Sequence, residues 1–300
     1  MTMEGCLKSI QGRKLRSGDW IVVARDADPL VVNEELAKSL IYNNSSLKDY
    51  DEEIANILKD NDFCNSSSDK IKSLPDEENN LKWNIKRMFL FIMGGLSILS
   101  VVILTLFNGV PNGSILINNS ISLPLNISLL IGFALITTLI HELMHIIFAR
   151  SYKLRTGGLR LNILQANATV SMTHIWVWSF FPRLAALSAG LIFDFFLLSC
   201  LLIFNIFITD WMLAAAISIL WLRIAWQFRF HKNCDGHFIV LSLLDNPMLA
   251  VDEGNSNVAN VRTWSILKKV GYVVNLILIA YWFLPFLWML FSNVYFNFFE

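Results

Sequence analysis

The stretch at 123–150 reads LPLNISLLIGFALITTLIHELMHIIFAR. At about 1.5 Å per residue, a helix of this length spans the hydrocarbon core of a bilayer, which is about 30 Å thick. Its only ionisable side chains before the final arginine are His141, Glu142 and His145. Burying such groups in hydrocarbon costs free energy, so we expect them to have partners or a function. The stretch therefore predicts a membrane helix that carries a polar centre.

The whole composition points the same way. Of 300 residues, 55% are hydrophobic and 16% are charged, and the mean hydropathy is +0.51. A water-soluble domain carries about a quarter charged residues. The net charge is zero, which gives a nucleic-acid partner no electrostatic support. We therefore expect an α-helical integral membrane protein whose main surroundings are the lipid bilayer.

Apolar runs predict about five membrane helices, at 88–107, 123–150, 184–209, 211–227 and 270–291. Lys and Arg are retained on the cytoplasmic side, so basic loops indicate the orientation. Basic residues precede the first run and follow the second and fourth, whereas 108–120 contains no Lys or Arg. We expect a multi-pass protein of the cell membrane with a cytoplasmic N-terminus.

The domain organisation follows from the change in polarity. Residues 1–64 predict a small α+β cytosolic head, with a strand at 19–25 and helices at 33–41 and 51–58. Residues 65–87 predict a polar linker, and 88–300 form the transmembrane domain.

The sequence His141-Glu142-Leu-Met-His145 has the spacing of a metal site on a helix. Positions i and i+4 lie on one face, so two imidazoles can bind one ion. Zinc suits imidazole and carboxylate ligands, and the Glu between the histidines is placed to act as a general base toward water. The spacing predicts one Zn²⁺ per chain; the alternative is a polar contact between helices without metal.

A third zinc ligand is expected, because catalytic zinc usually has three protein ligands and one open position. Two acidic residues qualify, Asp194 inside the third run and Asp235 just after the fourth. Arg223 lies inside the fourth run and should pair with an acid, for which Asp194 is the nearest candidate.

These motifs resemble those of the site-2 proteases, which are intramembrane zinc metallopeptidases. His141, Glu142 and His145 match the family's HExxH, and Asp235-Gly236 matches the Asp-Gly of a later helix. The resemblance implies that the two histidines and Asp235 bind zinc and that Glu142 is the catalytic base.

A weaker part of the resemblance concerns the third run. The family often carries Ala-Gly-Pro-x-x-Asn there, and this chain has Ala189 and Gly190, then Leu191 for Pro and Asp194 for Asn. Asp194 is then implied to support the site or to pack. Asp194→Asn is expected to leave zinc mostly bound, since relatives use Asn.

The approach to the Asp-Gly departs from the family pattern, which places Asn, Pro and Leu before it. Here Asn233 is close by, the Pro is missing and Cys234 replaces Leu. Asn233 is implied to orient the substrate or the oxyanion. Cys234 is an alternative ligand, because thiolate binds zinc well. His237, three residues on, is a candidate to support the ligands.

The run at 235–247, DGHFIVLSLLDNP, is similar to that of peptide zinc metalloproteases from bacterial operons for modified peptides and bacteriocins. The soluble heads of those proteins often look like small peptide-binding domains. The resemblance implies an endopeptidase that cleaves a membrane-associated peptide during its maturation, with a peptide exporter as a further partner. The rival interpretation is a non-catalytic membrane immunity or export component that keeps the fold, for which the retained Glu142 is unnecessary.

Overall fold

The structure is a computed structural model that describes residues 7–25, 27, 29–42, 47–64, 84–150, 160–162, 167–169, 172–230, 234–247, 249 and 258–299. It is mostly helical, at 75%. Two compact units divide the chain, the first made of 1–85, 145–187 and 241–260, and the second of 86–144, 188–240 and 261–300.

The N-terminal part of the first unit is a three-stranded antiparallel sheet with two helices. The strands are β1 (Ile10–Lys14), β2 (Trp20–Ala24) and β3 (Leu30–Val32), hydrogen-bonded in that order. The helices are α1 (Glu34–Tyr42) and α2 (Glu52–Asp60). Asn33 caps α1, because its Oδ1 accepts a hydrogen bond from the Leu36 amide at 2.8 Å.

The predicted α+β character of this part is confirmed. The predicted strand at 19–25 and the helices at 33–41 and 51–58 correspond to β2, α1 and α2. The central strand β2 is buried along most of its length, as its β-branched sequence favours. Strands β1 and β3 were not predicted, because they are short and β1 carries polar side chains.

The long helices follow in chain order, with a short antiparallel hairpin of β4 (Arg160–Asn162) and β5 (Asn167–Thr169) between the second and third. They are α3 (Ile85–Asn108), α4 (Leu123–Ala149), α5 (Phe180–Phe207), α6 (Trp211–Gln227), α7 (Asp235–Leu244) and α8 (Val258–Ile277), which continues through a π-helical segment (Leu278–Phe283) into α9 (Leu284–Phe299).

Four helical stretches are long and apolar enough to cross a membrane: 85–108, 123–149, 180–207 and 261–295. All five runs predicted as membrane helices are helical, but α6 has only 17 residues. At 1.5 Å per residue α6 reaches about 25 Å, which is shorter than a typical hydrocarbon core. Many apolar side chains of the long helices are exposed, among them Phe89, Leu96 and Leu106 of α3. An exterior of this kind suits lipid rather than water.

A 3-10 helix occupies Thr173–Val177, between the β4–β5 hairpin and α5. One local prediction needs correction. Helix α3 already begins at Ile85, inside the stretch predicted as linker, of which 65–83 lies outside the described residues.

The second unit has a core made by α3, α5 and α6. Val101, Leu198 and Leu220 are each at most 1% exposed and pack in one apolar cluster. Where α3 passes α5, a side-chain carbon at Gly94 would lie 3.0 Å from Ile192, so glycine permits the close approach. This packing holds the helices that carry Asp194 and Arg223.

Candidate metal centre

Helix α4 presents His141 and His145 one turn apart on one face. Both are buried, with 4% and 2% exposure. The two histidines are four residues apart on one unbroken helix, so the helix itself fixes the spacing of the two imidazoles. Glu142 follows His141 along the helix and is half-buried.

The Nδ1 atoms of both histidines face hydrogen-bond acceptors. His141 Nδ1 lies 2.9 Å from Oδ2 of Asp194, and His145 Nδ1 lies 2.8 Å from the Ala186 carbonyl oxygen. A carboxylate and a carbonyl only accept, so each Nδ1 donates a hydrogen bond. Histidine ligands of metals typically donate their other ring N–H to such acceptors. Because each Nδ1 is occupied as a donor, the Nε2 atoms are the ring nitrogens that remain to bind a metal in place of a proton.

Asp235, the first residue of α7, completes the group. Its Oδ2 lies 2.9 Å from His141 Nε2. Ligand atoms of His141, His145 and Asp235 all lie within 4.8 Å of one another. Two ligands of a tetrahedral zinc are about 3.3 Å apart, given metal–ligand distances of about 2.0–2.1 Å. The donor set suits zinc, and small adjustments of the side chains would bring the ligand atoms to this spacing. The group consists of the two histidines predicted from their spacing and the aspartate that the resemblance implied.

The position of Asp235 depends on the end of α6. Gln227 Oε1 accepts a hydrogen bond from the Asp235 amide at 2.9 Å. A side-chain carbon added at Gly236 would lie 2.2 Å from the backbone oxygen of Gln227. The Asp-Gly pair thus has a steric reason: the chain end of α6 packs directly on the first turn of α7. Gln227 was missed from the sequence, where it is one polar residue at the end of an apolar run.

Asp194 contacts the Nδ1 side of the His141 ring and is not a member of the ligand group. It is fully buried in α5, and its Oδ2 also accepts from Arg223 Nε at 2.9 Å. Its Oδ1 accepts from Arg223 Nη2. The predicted pairing of Arg223 with Asp194 is confirmed. Arg223 Nη1 donates to Thr137 Oγ1 at 2.8 Å, a contact that the sequence did not suggest.

Two other candidates are not members of the ligand group. Within the part of the chain that the structure describes, that group does not include Cys234 or His237, although both are buried. The His237 ring packs edge-on against Trp264, with ring centres 5.0 Å apart. Asn233 lies outside the described residues, so its predicted role stays a prediction.

His174 is a buried histidine outside the ligand group, in the first unit, with 2% exposure. Its Nε2 lies 2.6 Å from the carbonyl oxygen of Ala149 at the end of α4.

A second buried polar cluster surrounds Asp245, directly after α7 in the first unit. Asp245 Oδ1 accepts from Arg13 at 2.7 Å and from Arg183 at 2.9 Å. Arg16 donates to the carbonyl oxygen of Leu243 at 3.2 Å. Burial would raise the pKa of Asp245, but the two guanidinium groups outweigh it and hold that pKa below its usual range. This cluster joins β1 to the end of α7 and was not predicted.

No protein family, curated protein or solved structure matches this chain. The resemblance to the site-2 proteases therefore depends on the motifs quoted above and stays a prediction.

Proposed function

We propose that this chain is a zinc endopeptidase of the cell membrane that cleaves a membrane-associated peptide. The observation that carries the proposal is the group formed by His141, His145 and Asp235, with both Nδ1 atoms already engaged. Glu142, the next residue after the first ligand, supplies the carboxylate that such a hydrolase needs.

The residues of the centre have three separate roles: binding the ion, orienting a ligand and transferring a proton. His141, His145 and Asp235 hold the ion, and Asp194 keeps the first imidazole oriented. When bound, zinc polarises a carbonyl and lowers the pKa of water. Glu142 accepts a proton from the attacking water and later donates it to the leaving amine. The reaction breaks one peptide bond and consumes one water.

The proposed substrate follows from the surroundings of the centre. The ligand helix α4 has no ionisable side chain apart from His141, Glu142 and His145 in its second half. A peptide that reaches it must lie in or on the membrane. If the peptide is helical it must unwind locally, because its carbonyl groups are otherwise hydrogen-bonded within the helix.

The proposed cellular setting depends on sequence patterns. Four membrane-length helices support insertion, and the alternating basic loops support a cytoplasmic N-terminus. The run at 235–247 supports a role in maturing a modified or secreted peptide, with a peptide exporter as partner.

The test replaces Glu142 by Gln, which keeps the size and polarity of the side chain but cannot accept the proton. The variant should keep its zinc and lose cleavage by at least about 100-fold. Mass spectrometry of the peptides in cells with the parent protein, with Glu142→Gln or with no protein measures this. Glu53→Gln, on the exposed side of α2, is the matched control and should behave as the parent.

One result of the same experiment would contradict the proposed protease activity. If cells with Glu142→Gln process the same peptides as the parent while the variant binds zinc, the chain is not a protease. The alternative, a non-catalytic immunity or export component, would then account for the chain.

A further inference from the structure

Asp194 is a carboxylate in a place where a charge is costly. It is fully buried in the long apolar helix α5. An uncompensated ion in such surroundings destabilises a protein strongly, so the charge needs a partner. Arg223 provides that partner by meeting both carboxylate oxygens.

We propose that Arg223 is a positioning residue of the candidate metal centre, and that Asp194 and Arg223 together act as one neutral acceptor for the N–H of His141. The inference depends on the proposed function, because it concerns the same zinc ligand. Arg223 itself need not touch zinc or substrate.

The geometry supports a positioning role. The guanidinium is a planar, rigid group, and a two-point contact fixes the plane of the carboxylate. Asp194 Oδ2 is thereby held 2.9 Å from His141 Nδ1. The remaining nitrogen, Nη1, binds Thr137 at 2.8 Å. Thr137 lies one turn before His141 on α4. Arg223 of α6 therefore hydrogen-bonds both to the ligand helix α4 and to α5.

Thr137 is prepared for this contact. Its hydroxyl lies 2.9 Å from the carbonyl oxygen of Phe133 in its own helix, to which it donates. Its lone pairs therefore remain for the Arg223 donor. The three side chains and His141 form one continuous chain of hydrogen bonds from α6 to the metal ligand.

The charge balance explains how Asp can occupy position 194, where the related motif has Asn. Asp194 and Arg223 have no net charge as a pair, as is also true of an amide side chain. A single replacement of either residue leaves the other as an unpaired buried charge. Replacement of both by neutral residues, Asn and Met, restores neutrality and keeps an acceptor for His141. The single variant Asp194→Asn is therefore expected to weaken zinc binding, contrary to the expectation from the resemblance alone.

The experiment compares four full-length proteins in detergent: the parent, Asp194→Asn, Arg223→Met and the double variant. Zinc affinity is measured by competition with a chelator, and the visible spectrum of the Co²⁺-loaded protein reports the ligand geometry. Each single variant should bind zinc about 10- to 100-fold more weakly, the usual effect of losing a residue that orients a ligand. The double variant should bind zinc at least about tenfold more tightly than the product of the two single losses would give.

Arg229→Met is the matched control. This arginine follows α6 closely, but its guanidinium stacks on Trp226 at 3.8 Å from the ring centre. Its loss should leave the affinity and the Co²⁺ spectrum unchanged, whereas Arg223→Met should alter both.

Two results overturn the inference while the proposed function stands: an Arg223→Met protein with the parent's zinc affinity and spectrum, or a double variant whose loss is the product of the two single losses. If Arg223→Met fails to fold, the double variant decides, since it carries no unpaired charge. A parent protein that takes up no zinc contradicts the proposed function and this inference together.

Discussion

Gly236→Ala tests whether the contact between α6 and α7 places the third ligand. The added carbon would lie 2.2 Å from the backbone oxygen of Gln227, whereas ordinary contacts begin near 3.4 Å. The obstacle is backbone, which cannot rotate away as a side chain can. The first turn of α7 must therefore move by more than an ångström, and Asp235 must move with it.

The magnitude follows from the tolerance of a zinc site. Ligand distances are maintained within about 0.2 Å, so such a displacement breaks the geometry unless α7 is pushed back at a cost. Forcing an extra methyl group into a packed interior costs about 1–3 kcal/mol. If that cost falls on the zinc-loaded state, the affinity decreases by about 5- to 150-fold, because 1.4 kcal/mol corresponds to a factor of ten.

The assay is chelator competition on the purified variant, together with peptide processing in cells. Gly132→Ala is the control, since it lies on the ligand helix α4 and nothing is within 4 Å of its added carbon. It should leave zinc binding unchanged. A Gly236→Ala protein that binds zinc as tightly as the parent would refute the argument that this contact positions Asp235.

Two further predictions concern the first unit and the orientation. Asp245→Asn should destabilise the folded protein by on the order of 3 kcal/mol at neutral pH, because it leaves the buried guanidinium of Arg183 and the half-buried one of Arg13 with a neutral partner. Since the pKa of Asp245 is lowered in the folded state, this stabilisation is present above the ordinary carboxyl pKa of about 4 and is lost as the pH falls further. Thermal unfolding in detergent should therefore show a difference between parent and variant that shrinks in acid. A cysteine at Ser120 should react with an impermeant reagent outside intact cells, whereas one at Glu53 should not; labelling at Glu53 alone would reverse the orientation.

Local patterns made much of the fold predictable. The spacing of His141 and His145 fixes both on one helix face, whatever the rest of the chain does. Asn33 before two glutamates marks the start of α1 for equally local reasons. The five apolar runs are helical because their length and composition leave few alternatives.

The features that could not be predicted from the sequence are contacts between residues that are far apart in the chain. Arg13 and Asp245 are separated by 232 positions, and no local pattern indicates that they meet. Thr137 and Arg223 are separated by 86. The choice between Asp194 and Asp235 as third ligand was open from the residues alone, because one acid lies inside an apolar run and the other directly follows one. The structure separates them: Asp194 faces Nδ1 of His141 and Asp235 faces Nε2.

The most direct test of the central claim is the metal content of the purified, full-length protein. The parent should hold about one zinc per chain, and His141→Ala, His145→Ala and Asp235→Ala should each lose most of it. His174→Ala is the control, because this buried histidine binds a backbone carbonyl outside the ligand group and its loss should leave zinc in place. A parent without zinc, or three ligand variants that keep it in full, would contradict the account.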